Sequence, residues 1–132
     1  MSGFRIGQGF DVHRFGGGRP LILCGLELPE GPGLDGHSDA DVALHAVADA
    51  LLGAVAAGDL GEHYPSGDDR WRDADSRVFV AGAMEHVGRA GCRVVNCDLT
   101  IIGERPRIAP HRSAMQARLA ELLGLDPGRV SV

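Results

Sequence analysis

The sequence predicts an α+β fold, a mixed sheet with helices packed on one face. Three observations carry that expectation. Phe4 to Phe15 is an apolar run that reads as a strand, and Cys92–Ile102 alternates, with Val95, Cys97, Leu99 and Ile101 opposing Asn96, Asp98 and Thr100. Between and after them lie stretches with helical spacing, bounded by capping residues and glycines. Strands and helices do not alternate regularly, which favours α+β over a parallel α/β sheet. A sheet open on one face is expected to pair with copies of itself.

Each element follows in order. The first strand covers about Phe4–His13. The loop Phe15–Pro20, with Gly16, Gly17 and Gly18, leads to Leu21–Cys24 and Leu26–Leu28, a hairpin turning at Gly25. A glycine-rich loop from Glu30 to Gly36 precedes a helix that Ser38 or Asp39 caps; it runs to about Ala57 and stops at Gly58. Asp59–Asp69 is a loop rich in Gly, Pro and acidic residues. Asp73 or Asp75 starts a second helix, which ends near Arg89 and closes at Gly91. Pro110 opens a last helix with Met115, Leu119 and Leu122 on one side and Gly124 past its end. Arg129–Val132 begins another strand.

Length and composition bound the function. A chain of 132 residues is one domain, 1–132, and can bury a real core. No apolar run approaches the ~20 residues of a membrane span, and no basic-then-apolar leader opens the chain, so a cytoplasmic protein without membrane contact is expected. Cys24, Cys92 and Cys97 have no metal-finger spacing and read as free thiols in a reducing compartment. All 13 basic residues are arginine, which removes any lysine Schiff base or P-loop lysine. The net charge of −5 argues against a nucleic-acid partner and leaves room for an anionic small molecule.

The chemistry concentrates in two places. Asp11 and His13 are two apart on an extended run and project to the same side. His45 lies two turns into the helix that follows His37-Ser38-Asp39-Ala40-Asp41. Two imidazoles and one carboxylate suit a zinc ion that keeps one position open; manganese and cobalt accept the same donors. The plainer reading of His45 is a helical histidine satisfied by Asp41 or Asp49, each four residues away, and either could also brace a ligating ring. Other signals are weaker. Gly7-Gln8-Gly9 lacks the third glycine of a dinucleotide loop. Ser38 reads better as a cap than as a nucleophile. His86 and His111 read as surface or capping residues, and Asp68-Asp69 as a solvated turn.

Four ordered motifs, GQGFDVHRF, GHSDADVALHAVADALLGA, GDLGEHYP and CDLTIIGERPRI, strongly resemble the 2-C-methyl-D-erythritol 2,4-cyclodiphosphate synthase family. That resemblance implies homotrimers of α+β subunits with sites between neighbours. It implies conversion of 4-diphosphocytidyl-2-C-methyl-D-erythritol 2-phosphate into the cyclic diphosphate and CMP, a step of non-mevalonate isoprenoid synthesis. By motif, Asp11, His13 and His45 would be metal ligands. Asp11, Val12 and His13 would also border the substrate. His37 and Ser38 would contact its phosphates, with His37 stabilising the transition state. Asp59, Leu60 and Gly61 would hold the erythritol portion, and Tyr64, Pro65, Ser66, Gly67 and Asp68 would continue that pocket. Gly103, Glu104, Arg105, Pro106, Arg107, Ile108 and Ala109 match the loop that cradles cytidine and phosphates. Phe10 would face an apolar channel on the trimer axis. Ser66 stands where the family usually has aspartate. The family's Lys-Ala-Thr-Thr-Thr-Glu segment would follow Val132, and its glutamate would bind a second divalent ion, magnesium. Either that segment continues the chain beyond Val132 or the chain is a truncated product, and only in the truncated case is weak or no activity expected. Two other classes stay open: a zinc phosphoester hydrolase that uses water, and a non-catalytic trimer that binds a nucleotide or isoprenoid diphosphate.

Overall fold

The computed structural model describes residues 3–132, and its core is a set of three helices. Helices α1 (Val42–Ala54) and α3 (Arg77–Arg89) pack face to face, and α4 (Arg112–Leu123) closes over α3. The apolar positions recur at helical spacing. Leu44, Val47, Ala48, Leu51 and Leu52 of α1 meet Phe79, Val80, Ala83 and Val87 of α3, with Met115, Leu119 and Leu123 of α4 beyond. Each such leucine, fully buried, contributes about 1.5–3 kcal/mol of transfer free energy. The one-turn helix α2 (Leu60–His63) lies beside α1.

Strands are short. β1 (Leu21–Leu23) and β2 (Leu26–Leu28) form the expected antiparallel hairpin, with Leu21 opposite Leu28. Its turn is Cys24-Gly25, both at positive φ (55° and 73°). β3 (Cys97–Asp98) pairs in parallel with β4 (Val130–Ser131), Cys97 opposite Val130. The α+β class therefore stands, but the single mixed sheet is replaced, among the described residues, by two separate two-stranded sheets. Of Cys92–Ile102 only Cys97–Asp98 pairs as a strand.

The predicted first strand differs most. Residues 3–14 have no regular secondary structure and form no ladder with any described strand; among the described residues, the isolated bridge that follows joins Phe15 to Leu34. This ribbon is held by close approach to α1 instead. A Cβ on Gly9 would overlap the Ala46 carbonyl, and one on Gly7 the Ala50 carbonyl, so only glycine lets the backbone lie there. Arg5 adds a bond to the Ala54 carbonyl, and Arg14 O accepts from Asp35 N at 2.9 Å. Alternation survives without pairing. Phe4, Ile6, Phe10 and Val12 point outward, each more than 70% exposed, while Gly7, Gly9, Asp11 and His13 turn towards the body.

Helix boundaries also shift for physical reasons. Asp41, not Ser38 or Asp39, caps α1, accepting Leu44 N at 3.0 Å. The positive φ of Ala40 (60°) re-aims the chain just before it. Helix α1 ends at Ala54 rather than Ala57, its final carbonyls being taken by the turn Val55–Ala57. Ser76, rather than Asp73 or Asp75, occupies the cap position of α3. Pro110 lies in a short 3₁₀ turn, Ala109–His111, that leads into α4, and Gly124 ends α4 in the left-handed conformation.

Candidate metal centre and its cavity

Asp11, His13 and His45 converge. Asp11 Oδ2 lies 3.0 Å from His13 Nε2 and 3.1 Å from His45 Nδ1, and all three ligand atoms fall within 4.8 Å of one another. The two rings meet edge to face, with centroids 5.1 Å apart. This is a potential site for a divalent metal, and the donor set fits one. Partial burial works to raise the Asp11 pKa, but hydrogen bonds from His13 and His45 outweigh it and hold the carboxyl far below the usual range. An acid kept ionised beside two imidazoles is prepared for a cation. His13 in turn is raised by its hydrogen bond to Asp11, against the opposing effect of burial.

Local structure explains the convergence. His45 is nearly buried on the inner face of α1, against the Phe79 ring. Gly36 leaves room for His13: a Cβ there would come within 3.1 Å of the imidazole Cε1. Neither Asp41 nor Asp49 is the partner of His45, contrary to the helical-spacing expectation. Asp41 is fully buried and accepts from Cys24 N, Gly25 N and Leu44 N, tying the hairpin turn to the start of α1. Asp49 accepts Leu60 N at 2.7 Å and so fixes α2. The second nitrogen of His45 meets Ser38 Oγ (3.0 Å) and Ser76 Oγ (2.9 Å) instead.

The three residues stand in the wall of a cavity of about 690 Å³. Val12, His37, Ser38, Leu60, Gly61, Tyr64, Pro65, Ser66 and Gly67 border the same space. His37 Nε2 lies 3.0 Å from the Asp68 carbonyl oxygen, which places its ring beside the Pro65–Asp68 turn. Tyr64 stacks edge-on against Trp71, and Gly82 makes way for its hydroxyl. Two expected residues are placed elsewhere: Asp59 caps α2 through Glu62 N (2.9 Å), and the Asp68 carboxylate is taken by Arg70 (2.6 Å). Gly103 to Ala109 lies outside the cavity, with the Arg105 guanidinium 5.1 Å above the Phe15 ring. Arg14, Asp35, Gly36, Asp49, Trp71 and Phe79 also line it and were not expected. Ser76 was not expected either; it lies 31 residues from His45, and only tertiary packing brings it there.

Relatives agree with this architecture. Residues 4–132 match the YgbB family. The chain is 54% identical over 129 residues to the 2-C-methyl-D-erythritol 2,4-cyclodiphosphate synthase of Chromobacterium violaceum, covering 98% of this chain and 82% of that protein. It is 56% identical over 128 residues to the bifunctional enzyme IspD/IspF of Novosphingobium aromaticivorans, covering 97% of this chain but 33% of that protein. The chain thus spans about a third of the length of such bifunctional relatives. A solved 2C-methyl-D-erythritol-2,4-cyclodiphosphate synthase superposes with TM-score 0.85 at 42% identity, over 96% of this chain and 85% of that one. The CDP complex of Plasmodium falciparum IspF superposes with TM-score 0.84 at 27% identity, over 100% of this chain and 81% of the other. With the match running through nearly every described residue, the chain belongs to the YgbB family, that of the cyclodiphosphate synthases.

Proposed function

We propose that the chain carries the cyclodiphosphate synthase activity, converting 4-diphosphocytidyl-2-C-methyl-D-erythritol 2-phosphate into 2-C-methyl-D-erythritol 2,4-cyclodiphosphate and CMP. The observation that carries it is the convergence of Asp11, His13 and His45 on one point of the cavity wall. The reaction forms a bond from a 2-phosphate oxygen to the β-phosphorus and breaks the bond from that phosphorus to CMP, which leaves with the electron pair. Its nucleophile is already an ionised phosphate, so no strong base is required of the protein. The barriers are repulsion between two anions and the entropy of ring closure.

The chain's own residues address both. Asp11 Oδ2, His13 Nε2 and His45 Nδ1 would hold the ion, zinc by donor type, with manganese or cobalt as alternatives. When bound, a divalent cation on two neutral imidazoles and one carboxylate keeps positive charge and draws electron density from a phosphoryl oxygen. His37, steadied by the Asp68 carbonyl, and Ser38 present polar atoms at the same wall and would grip phosphate oxygens. Leu60, Gly61 and the Tyr64–Gly67 turn form the wall that would position the erythritol part, with Asp59 and Asp68 bracing it from behind. A second ion, magnesium, would need a ligand from outside these residues.

Assembly belongs to this reading. Phe4, Ile6, Phe10, Val12, Val95 and Ile102 expose large apolar side chains, which a homotrimer with inward-facing sheets would cover. The loop from Gly103 to Ala109, outside its own cavity, would then serve a neighbour's site and hold cytidine there. Solved relatives bind CDP, which favours a cytidine ligand. No helix among the described residues is long and apolar enough to cross a membrane, and we place the enzyme in the cytoplasm.

The test couples metal analysis with CMP release for the wild type and His45→Ala. Loss of bound metal together with turnover is expected. A variant that still turns over with no metal would end the proposal, and release of inorganic phosphate from simple phosphoesters would favour a hydrolase.

A further inference from the structure

We propose that Asp39 and Ser76 are positioning residues that keep the proton of the His45 ring on Nε2 and so aim the Nδ1 lone pair at the cation site. The inference rests on the metal reading given above and extends it to residues that touch neither ion nor substrate.

Counting hydrogens leads to it. A serine hydroxyl has one hydrogen to give, and an ionised carboxylate has none. Ser76 Oγ lies 2.5 Å from Asp39 Oδ1, so its hydrogen is committed to the carboxylate. Towards His45 Nε2, 2.9 Å away, Ser76 is then left only as an acceptor. The hydrogen in that contact must come from the ring, so in the neutral ring that would ligate a cation Nδ1 is the bare nitrogen, 3.1 Å from Asp11 Oδ2, and the cation takes the place of the proton that Nδ1 otherwise shares with Asp11. Two acceptors facing each other at that separation repel unless positive charge lies between them, and that is where the ligand atoms converge.

Ser76 shows a second sign of this role. It occupies the cap position of α3 but makes no capping bond, and it is completely buried. A serine at that position ordinarily offers its oxygen to the first turn of its own helix. Here the hydroxyl is turned inward, and the helix start goes without it. Asp39 is equally fixed. Its Oδ2 accepts Ser76 N at 3.0 Å, its Oδ1 accepts Asp41 N at 3.1 Å, and its own N donates to the Ala74 carbonyl at 2.9 Å. The carboxylate therefore cannot swing away and release Ser76.

The same proton order frees Ser38. Its oxygen lies 3.0 Å from His45 Nε2 and 3.3 Å from Ala40 N, so it accepts the Ala40 N–H and shares the one Nε2–H with Ser76 in a three-centre bond. Its hydrogen is left for the cavity, where it can donate to an anionic ligand. One carboxylate thus orders two groups through a chain of two hydroxyls and one ring.

The experiment uses the zinc-loaded chain with ¹⁵N-labelled histidine. Long-range ring correlations in the wild type should show His45 protonated on Nε2 and metallated on Nδ1. Metal on Nε2 would overturn the proposal without any mutation. Zinc affinity, measured by competition with a chromophoric chelator, should fall on the order of 10–100-fold in Ser76→Ala and in Asp39→Ala. Ser76→Thr, which keeps the hydroxyl, should stay within about threefold of the wild type. Wild-type affinity in Ser76→Ala with an unchanged Nε2–H signal would reject the relay while leaving the metal reading intact. A wild type that binds no zinc would reject both.

Discussion

His45 stands on a helix whose inner face is core, whereas Asp11 and His13 stand on a ribbon that makes no ladder. The helical ligand is fixed from three sides: Leu44 beside it is fully buried, Phe79 lies against its ring, and two hydroxyls meet its outer nitrogen. The ribbon has no comparable packing. Its outward apolar side chains are bare, and it stays in place through glycine contacts with α1 and through the Arg14–Asp35 anchor. One half of the centre is therefore preorganised by the core, and the other by how closely a backbone can approach a helix. The ribbon is where the centre should be easiest to break.

Gly9→Val should give the largest effect. The added side chain would overlap the Ala46 carbonyl and lift Asp11 and His13 off α1. A misplacement near 1 Å can cost about 100-fold in a positioned site, and a loss of metal affinity of at least that order is expected. Gln8→Val, one residue away on the outward side, should leave metal affinity nearly unchanged. Equal losses in the two variants, measured by metal competition, would show that the ribbon is not seated as described.

On the helical side, the expected effect is on folding and reads through pH. Burial pushes the Asp41 carboxyl up to about 6, against the opposing pull of its hydrogen bonds from Leu44, Gly25 and Cys24. An unfolded aspartate ionises near pH 4, so between about 4 and 6 the folded chain holds a proton that the unfolded chain has lost. Stability from this group is thus full below pH 4 and declines as pH rises through 6. The linked change is roughly 2–3 kcal/mol. The stability difference between wild type and Asp41→Asn, followed by denaturant melts, should shrink by about that amount from pH 4 to pH 7. Asp75, whose pairing with Arg77 lowers its pKa, works in the opposite direction but is common to both proteins and cancels.

The contrast also marks what a sequence can reveal. The face shared by Asp11 and His13 was legible because alternation survives in any extended chain, paired or not. The hairpin at Gly25, the stop at Gly91 and the left-handed Gly124 were legible because positive φ favours glycine, whatever the surroundings. The sheet was not, since a period of two identifies a face and says nothing of a partner strand. Nor was the surrounding of His45. Spacing pointed to Asp41 and Asp49 on its own helix, but both are engaged by backbone N–H groups elsewhere. Ser38 looked like a cap and Ser76 like nothing in particular. Both roles depend on two helix starts meeting in space, and the chain order holds no local sign of that.

The smallest expected effect lies on the cavity wall that neither core nor glycine contact fixes. Ser66 sits in the exposed turn between α2 and the Asp69–Trp71 turn, bordering the cavity where the family pattern carries aspartate. Being exposed, it adds little to stability, and Ser66→Asp should change unfolding free energy by no more than about 0.5 kcal/mol. A carboxylate there can accept from a sugar hydroxyl more strongly than serine can, a gain of about 1 kcal/mol or roughly fivefold. If the turn only binds substrate, KM should fall by that factor with kcat unchanged, because the contact is the same in ground and transition states. A change in kcat instead would mean that this exposed wall takes part in aligning the phosphates, and that the division between a half fixed by the core and a half that is not extends into the chemistry itself.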